Sequence, residues 1–87
     1  MNEKIFTQLG FNKEIVSKEE SGGKNGYYYY SIDIGEITLL SCTNDEVEKG
    51  RWFCNIMDYD SIVIKSEKDL VSLINILKSC LVINKKT

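Results

Sequence analysis

The run Tyr27-Tyr28-Tyr29-Tyr30-Ser31-Ile32-Asp33-Ile34-Gly35-Glu36-Ile37-Thr38-Leu39-Leu40 decides the fold. Side chains alternate between the faces of a strand, so Tyr28, Tyr30, Ile32 and Ile34 share one face, and Tyr27, Tyr29, Ser31 and Asp33 the other. Gly35-Glu36 follows, and glycine at the first central position supplies the positive φ of a type II′ turn. The spacing predicts a hairpin, with one strand from Tyr27 to Ile34 and its return from Ile37 to Thr43.

Toward the N-terminus, Glu19 to Gly26 (EESGGKNG) reads as a loop with three glycines and no apolar residue. Phe11 to Ser17 is expected as a first strand. Before it, Ile5 and Leu9 stand one helical turn apart beside Phe6, and Gly10 is a natural C-cap, which predicts a short helix that must dock to persist. Toward the C-terminus, Thr43 to Gly50 is expected as an acidic loop. Arg51 to Met57 alternates again, with Trp52, Cys54 and Ile56 opposite Phe53 and Met57. Asp58 to Ser61 is expected to turn the chain into a last strand, Ile62 to Lys65.

Ser66 followed by Asp69 resembles a capping box, so a helix is expected from Glu67 to about Asn84. Leu70, Leu73, Ile74, Ile76, Leu77, Cys80, Leu81 and Ile83 cover about half of its circumference, wider than a minimal core stripe, with Val71 and Val82 on the flank. Connections of hairpin length leave no room for parallel crossovers. The expected class is α+β: one domain, residues 1–87, with an antiparallel meander of four to five strands mostly in sequence order. A long C-terminal helix packs on one face, and a short helix begins the chain.

Composition narrows the function. The chain has 87 residues, 43% of them apolar, 28% charged and 10% aromatic, with a formal net charge of −2 and no histidine. A chain this size buries only about 60–65% of its unfolded surface, so its core is thin. It reads as one globular domain with neither a secretion signal nor a membrane span. The absence of alanine and proline, with one arginine beside ten lysines, points to an AT-rich genome. Three cysteines (Cys42, Cys54, Cys80) without metal-ligand spacing read as buried thiols in a reducing cytoplasm. Without histidine a Cys–His nucleophile pair cannot form. Asp33, Asp58 and Asp60 do not supply the converging oxygens of a hard-cation site, nor does a thin core offer a cleft for paired-carboxylate catalysis. No catalytic residue, metal or cofactor is expected. Acidic charge argues against nucleic acid, whose binders gather lysines on one face.

What remains is surface. Tyr27 and Tyr29, next to Asp33, lie on the sheet face away from the long helix, and tyrosine brings rigid area with a polar tip to binding surfaces. High strand propensity and cross-strand pairing explain the same residues without any partner. Phe53 and Met57 either join that open face or are covered by the N-terminal helix through Ile5, Phe6 and Leu9. Val71, Val82 and Ile83 would stay partly exposed under a single sheet, so a twofold dimer is one cover and the N-terminal helix or sheet curvature another.

Leu9-Gly10-Phe11, Glu19-Glu20-Ser21-Gly22, the four tyrosines with Asp33-Ile34-Gly35, Asn44-Asp45-Glu46 and Trp52 together resemble short uncharacterised proteins encoded by phages and integrated elements of low-GC bacteria and Bacteroidota. The resemblance implies an accessory protein of the host cytoplasm that occupies a host protein's surface, as anti-CRISPR and other anti-defence proteins do. The expectation is a noncatalytic protein-binding module, on the resemblance a phage-derived inhibitor of a host defence protein, with Tyr27, Tyr29 and Phe53 as anchors and Asp33, Asp45, Glu46 and Glu48 as rim charges facing Lys or Arg or mimicking phosphates. The alternative is a nucleotide-signal binding protein or sponge, its pocket at a dimer seam lined by tyrosine and Lys24 or Arg51.

Overall fold

The computed structural model describes residues 1–23 and 25–82. Its elements run α1 (Lys4–Gln8), β1 (Asn12–Val16), α2 (Lys18–Ser21), β2 (Tyr27–Ile34), β3 (Ile37–Ser41), β4 (Cys54–Ile56), β5 (Tyr59–Ile64) and α3 (Glu67–Ser79), with a 3-10 turn over Asn44–Glu46 between β3 and β4. The five strands form one antiparallel sheet in the order β1-β2-β3-β4-β5. The class is α+β, and the sheet is a meander because every connection is short.

The central hairpin forms where the glycine demands it. Gly35 sits at φ +62° while Glu36 stays on the negative side, and Ile34 pairs with Ile37 across the turn. The register then puts Ile32 opposite Leu39 on one face, and Ser31 opposite Leu40 and Asp33 opposite Thr38 on the other. The first of these faces is the core. Tyr30, Ile34, Leu39, Cys54 and Ile64 are buried there with Phe6 of α1 and with Leu70 and Ile74 of α3. Phe6 is fully buried, its ring stacked on Tyr30 at 5.3 Å and edge-on to Phe11 at 5.1 Å and Trp52 at 5.8 Å. Both α1 and α3 therefore feed the same side of the sheet.

Several boundaries differ from the sequence reading. The expected loop 19–26 contains a one-turn helix. Ser17 caps it, accepting from the Glu20 N–H (3.2 Å) while its own N–H donates to the Glu20 carboxylate (3.1 Å), and Gly22 ends it in the left-handed region. The Arg51–Met57 strand is only Cys54–Ile56, because Lys49 (φ 55°) and Gly50 (φ 71°) make a separate two-residue turn that pairs Glu48 with Arg51. The turn expected at Asp58–Ser61 falls at Met57–Asp58, with Asp58 at φ 72°, so β5 starts at Tyr59 and passes a register shift opposite Asn55 and Ile56.

Ser66 caps α3 as expected, accepting from the Asp69 N–H at 3.0 Å, but the helix ends at Ser79 and not near Asn84. Its last turn tightens as the Leu81 N–H donates to the Lys78 carbonyl, in a Ser-Cys-Leu-Val stretch of modest helix propensity. The buried stripe is correspondingly narrower than the apolar arc. Leu70 and Ile74 are buried and Val71, Leu73 and Leu77 half-buried, whereas Ile76, Cys80, Leu81 and Val82 are exposed. Ile83 lies outside the described residues. Of the three thiols expected to be buried, Cys42 and Cys54 are, and Cys80 is not, because it has become the exposed C-cap of α3. No helix among the described residues is long and apolar enough to cross a membrane.

Candidate functional site

The second face of the sheet carries neither α1 nor α3. Its central row is fixed by register: Asn12 beside Ser31, Ser31 beside Leu40, Leu40 beside Asn55, and Asn55 beside Val63. A neighbouring row holds Glu14 and Tyr29, and Val16 pairs with Tyr27 beyond it. Tyr27, Tyr29, Ser31, Leu40 and Asn55 are all half-buried, as expected for side chains lying against a sheet that carries no second layer among the described residues. The face is mixed in chemistry, aromatic and aliphatic with amides and hydroxyls between.

Phe53 belongs to this face by alternation. Trp52 and Cys54 on either side of it are buried in the core, and the Cys42 N–H donates to the Phe53 carbonyl at 2.9 Å, extending the β3–β4 pairing by one rung. Phe53 is half-buried. The cover considered for it, Ile5, Phe6 and Leu9, packs on the opposite side with Tyr30 and Trp52. Met57 is exposed in the turn, its N–H held by the Thr38 carbonyl at 2.9 Å.

A groove of about 570 Å³ runs along β4 on this face. Leu40, Phe53 and Val63 line it with Asn55, and Glu46, Met57, Asp58 and Asp60 stand at its margins. The Asn55 amide donates to the Ile62 carbonyl at 3.1 Å, tying β4 to the irregular stretch of β5. A second groove, about 500 Å³, opens where Lys49, Arg51 and Lys65 meet Glu46, Glu48 and the Trp52-Phe53 pair.

The expected acidic rim is partly committed to local structure. Glu46 closes a capping box on Thr43, accepting from its N–H at 2.9 Å, and the single proton of the Thr43 hydroxyl is shared between the carboxylates of Glu46 (2.9 Å) and Asp45. Asp33 accepts from the Thr38 hydroxyl at 2.6 Å across the hairpin. Glu48 and Arg51 face each other across the Lys49–Gly50 turn. The bonds made by Asp33, Asp45 and Glu46 orient those carboxylates and leave them on the surface, where Glu48 is exposed as well.

The structure thus brings Tyr27, Tyr29, Asp33 and Phe53 onto one face, with Glu46 at its margin. Asp45 lies in the turn next to Glu46, and Glu48 lines the other groove. Leu40, Asn55 and Val63 were missed. Leu40 and Val63 read as ordinary strand apolars, and only the register shows that they floor the groove. Of the dimer candidates, Val71 is half-buried against the core and Val82 is 88% exposed. Lys24 lies outside the described residues, and the groove beside Arg51 is lined by Trp52 and Phe53 where tyrosine was expected.

Buried groups near the face are held neutral. Burial pushes the Cys54 thiol up to about 12, and burial likewise raises that of Cys42. Neither is poised as a thiolate nucleophile. Among the described residues no three His, Cys, Asp or Glu side chains gather in a way that could hold a metal ion. No family model, curated protein or solved structure matches the chain.

Proposed function

We propose that this chain is a noncatalytic protein-binding module that works through the open face of its sheet. One observation carries the reading: both packed helices lie on the same side, so among the described residues the side bearing Tyr27, Tyr29, Leu40 and Phe53 has no helix packed on it. A five-stranded sheet with one bare, aromatic-bearing face offers a rigid platform, and rigid aromatic side chains lose little entropy when a partner covers them. Exposed carboxylates at the margin favour a partner with a basic surface and speed its approach. On the resemblance to short phage-encoded accessory proteins, the partner class is a bacterial defence protein and the mode of action is occlusion of its surface.

The test is affinity capture from a bacterial lysate with the wild-type chain and with Tyr27→Ala combined with Tyr29→Ala, with each bait's fold checked by circular dichroism. The reading expects one partner to be retained by the wild type and lost with the double variant. Equal retention by both baits would refute the assignment of this face.

A second reading draws on the groove in which Lys49, Arg51 and Lys65 meet Phe53: a small anionic ligand with an aromatic ring, such as a nucleotide. A thermal-shift screen separates the two, because a nucleotide present at about 100 times its Kd would stabilise the fold by roughly 2.7 kcal/mol, a rise of several degrees.

A further inference from the structure

We infer that the groove along β4 receives an extended partner segment with a Lys or Arg at each end and a tyrosine or apolar residue between them. The inference rests on the binding-module reading and specifies the chemistry of the partner.

Three features of the groove support it. First, its floor is apolar over a limited length. Leu40 and Val63 flank Asn55 in one row, and Phe53 stands two residues before Asn55, immediately ahead of β4. Phe53 precedes the three residues of β4 and Met57 follows them in the turn, so an extended segment laid alongside β4 meets one of these side chains near each end. Second, its charge has one sign. Among the described lining residues, Glu46 stands at the Phe53 end, where the second groove brings Lys49, Arg51 and Lys65 to its other side, and Asp58 and Asp60 stand near the Met57 end, with no lysine or arginine in the lining itself. Such a lining repels phosphates and acidic peptides and attracts cations at two separated points. Third, the volume of about 570 Å³ lies within the range of specific binding clefts.

Lysine and arginine suit the apolar floor and the carboxylates at once. Their alkyl stems can lie on Leu40, Phe53 and Val63 while the charged heads reach the carboxylates, and Phe53 presents a ring for a cation to cross. Glu46 is preset for the task, because its carboxylate is already oriented by the Thr43 N–H and hydroxyl.

The experiment titrates the 15N-labelled full chain with two capped pentapeptides, Lys-Ser-Tyr-Ser-Lys and Glu-Ser-Tyr-Ser-Glu. The lysine peptide should shift the amide signals of Leu40, Asn55 and Val63, and its affinity should fall about tenfold when salt rises from about 0.05 to about 0.5 M. A similar fall is expected with Asp58→Asn plus Asp60→Asn, a pair that keeps the fold because asparagine tolerates the left-handed backbone at position 58. The glutamate peptide should leave those signals in place. Equal shifts with both peptides, or none at these three residues, overturns the inference. So does a light-scattering mass showing that a second copy of the chain already fills the groove.

The parent reading fails separately. Partner capture that needs Tyr27 and Tyr29 but not Asp58 and Asp60 defeats the groove alone, whereas capture indifferent to all four defeats both.

Discussion

Phe6 is the residue whose loss the structure predicts most sharply. It is the only fully buried side chain of α1, a helix of five residues. A helix that short does not persist in isolation, so its docking depends on what Phe6 makes. The ring meets Tyr30, Phe11 and Trp52 at centroid distances of 5.3, 5.1 and 5.8 Å, and the Phe6 carbonyl accepts from the Phe11 N–H at 2.9 Å. Truncating a buried phenylalanine to alanine costs about 3–5 kcal/mol, and three aromatic neighbours place Phe6→Ala near the middle of that range or above, about 4 kcal/mol. At the usual stability per residue, a chain of 87 residues has roughly 4–13 kcal/mol in total. The substitution therefore removes about a third of it or more. Phe6→Leu, which retains most of the volume, should cost about 1–2 kcal/mol.

Urea unfolding followed by tryptophan emission is the natural assay, because Trp52 is the sole tryptophan, is 6% exposed and touches Phe6. With a urea slope on the order of 1.5 kcal/mol per molar, the midpoint should drop by about 2–3 M for Phe6→Ala and by about 1 M for Phe6→Leu. A drop below about 0.5 M for Phe6→Ala, with Trp52 emission in water unchanged, would mean that α1 is not anchored through this ring and that the aromatic cluster does not organise the core.

Two further perturbations test other parts of the structure. Tyr30 donates to the Glu3 carboxylate at 2.6 Å, and burial first, then Glu3, pushes its hydroxyl from 10.0 up to about 12. Between those values the unfolded chain has lost a proton that the fold retains. The contribution is therefore complete below pH 10 and lost as pH rises toward 12, and urea midpoints should fall more steeply over that window for the wild type than for Tyr30→Phe. Gly26 has no room for a methyl group, because a Cβ there would meet the Val16 carbonyl oxygen at 2.6 Å and the Lys18 nitrogen at 3.1 Å, both backbone atoms. Gly26→Ala should cost about 1–3 kcal/mol by thermal unfolding, whereas a neutral result would show that the β1–β2 connection yields easily.

The candidate site was legible in part. Alternation alone sets Tyr27 and Tyr29 opposite Tyr28 and Tyr30, and that pattern holds because the strand is long and one face turns to the core, where Tyr30 and Ile34 are buried and Tyr28 and Ile32 half-buried. The groove was not legible. Leu40 and Val63 are indistinguishable in sequence from core residues, and they become a floor only because β3, β4 and β5 align them in one row with Asn55 between. The acidic stretch was read as a rim, yet Asp45 and Glu46 are also engaged with Thr43, a short-range competition that composition does not reveal.

Local chemistry by itself determined the hairpin at Gly35-Glu36, the cap of α3 at Ser66 and the α+β class, since each rests on backbone preferences within a few residues. Tertiary structure decided the rest. How far α3 runs, which of its apolar residues are buried, and that α1 shares its side of the sheet all depend on the limited apolar surface the sheet offers. Phe6, Leu70 and Ile74 take that surface together, which leaves Ile76 and Val82 exposed and, among the described residues, no helix on the opposite face of the strands.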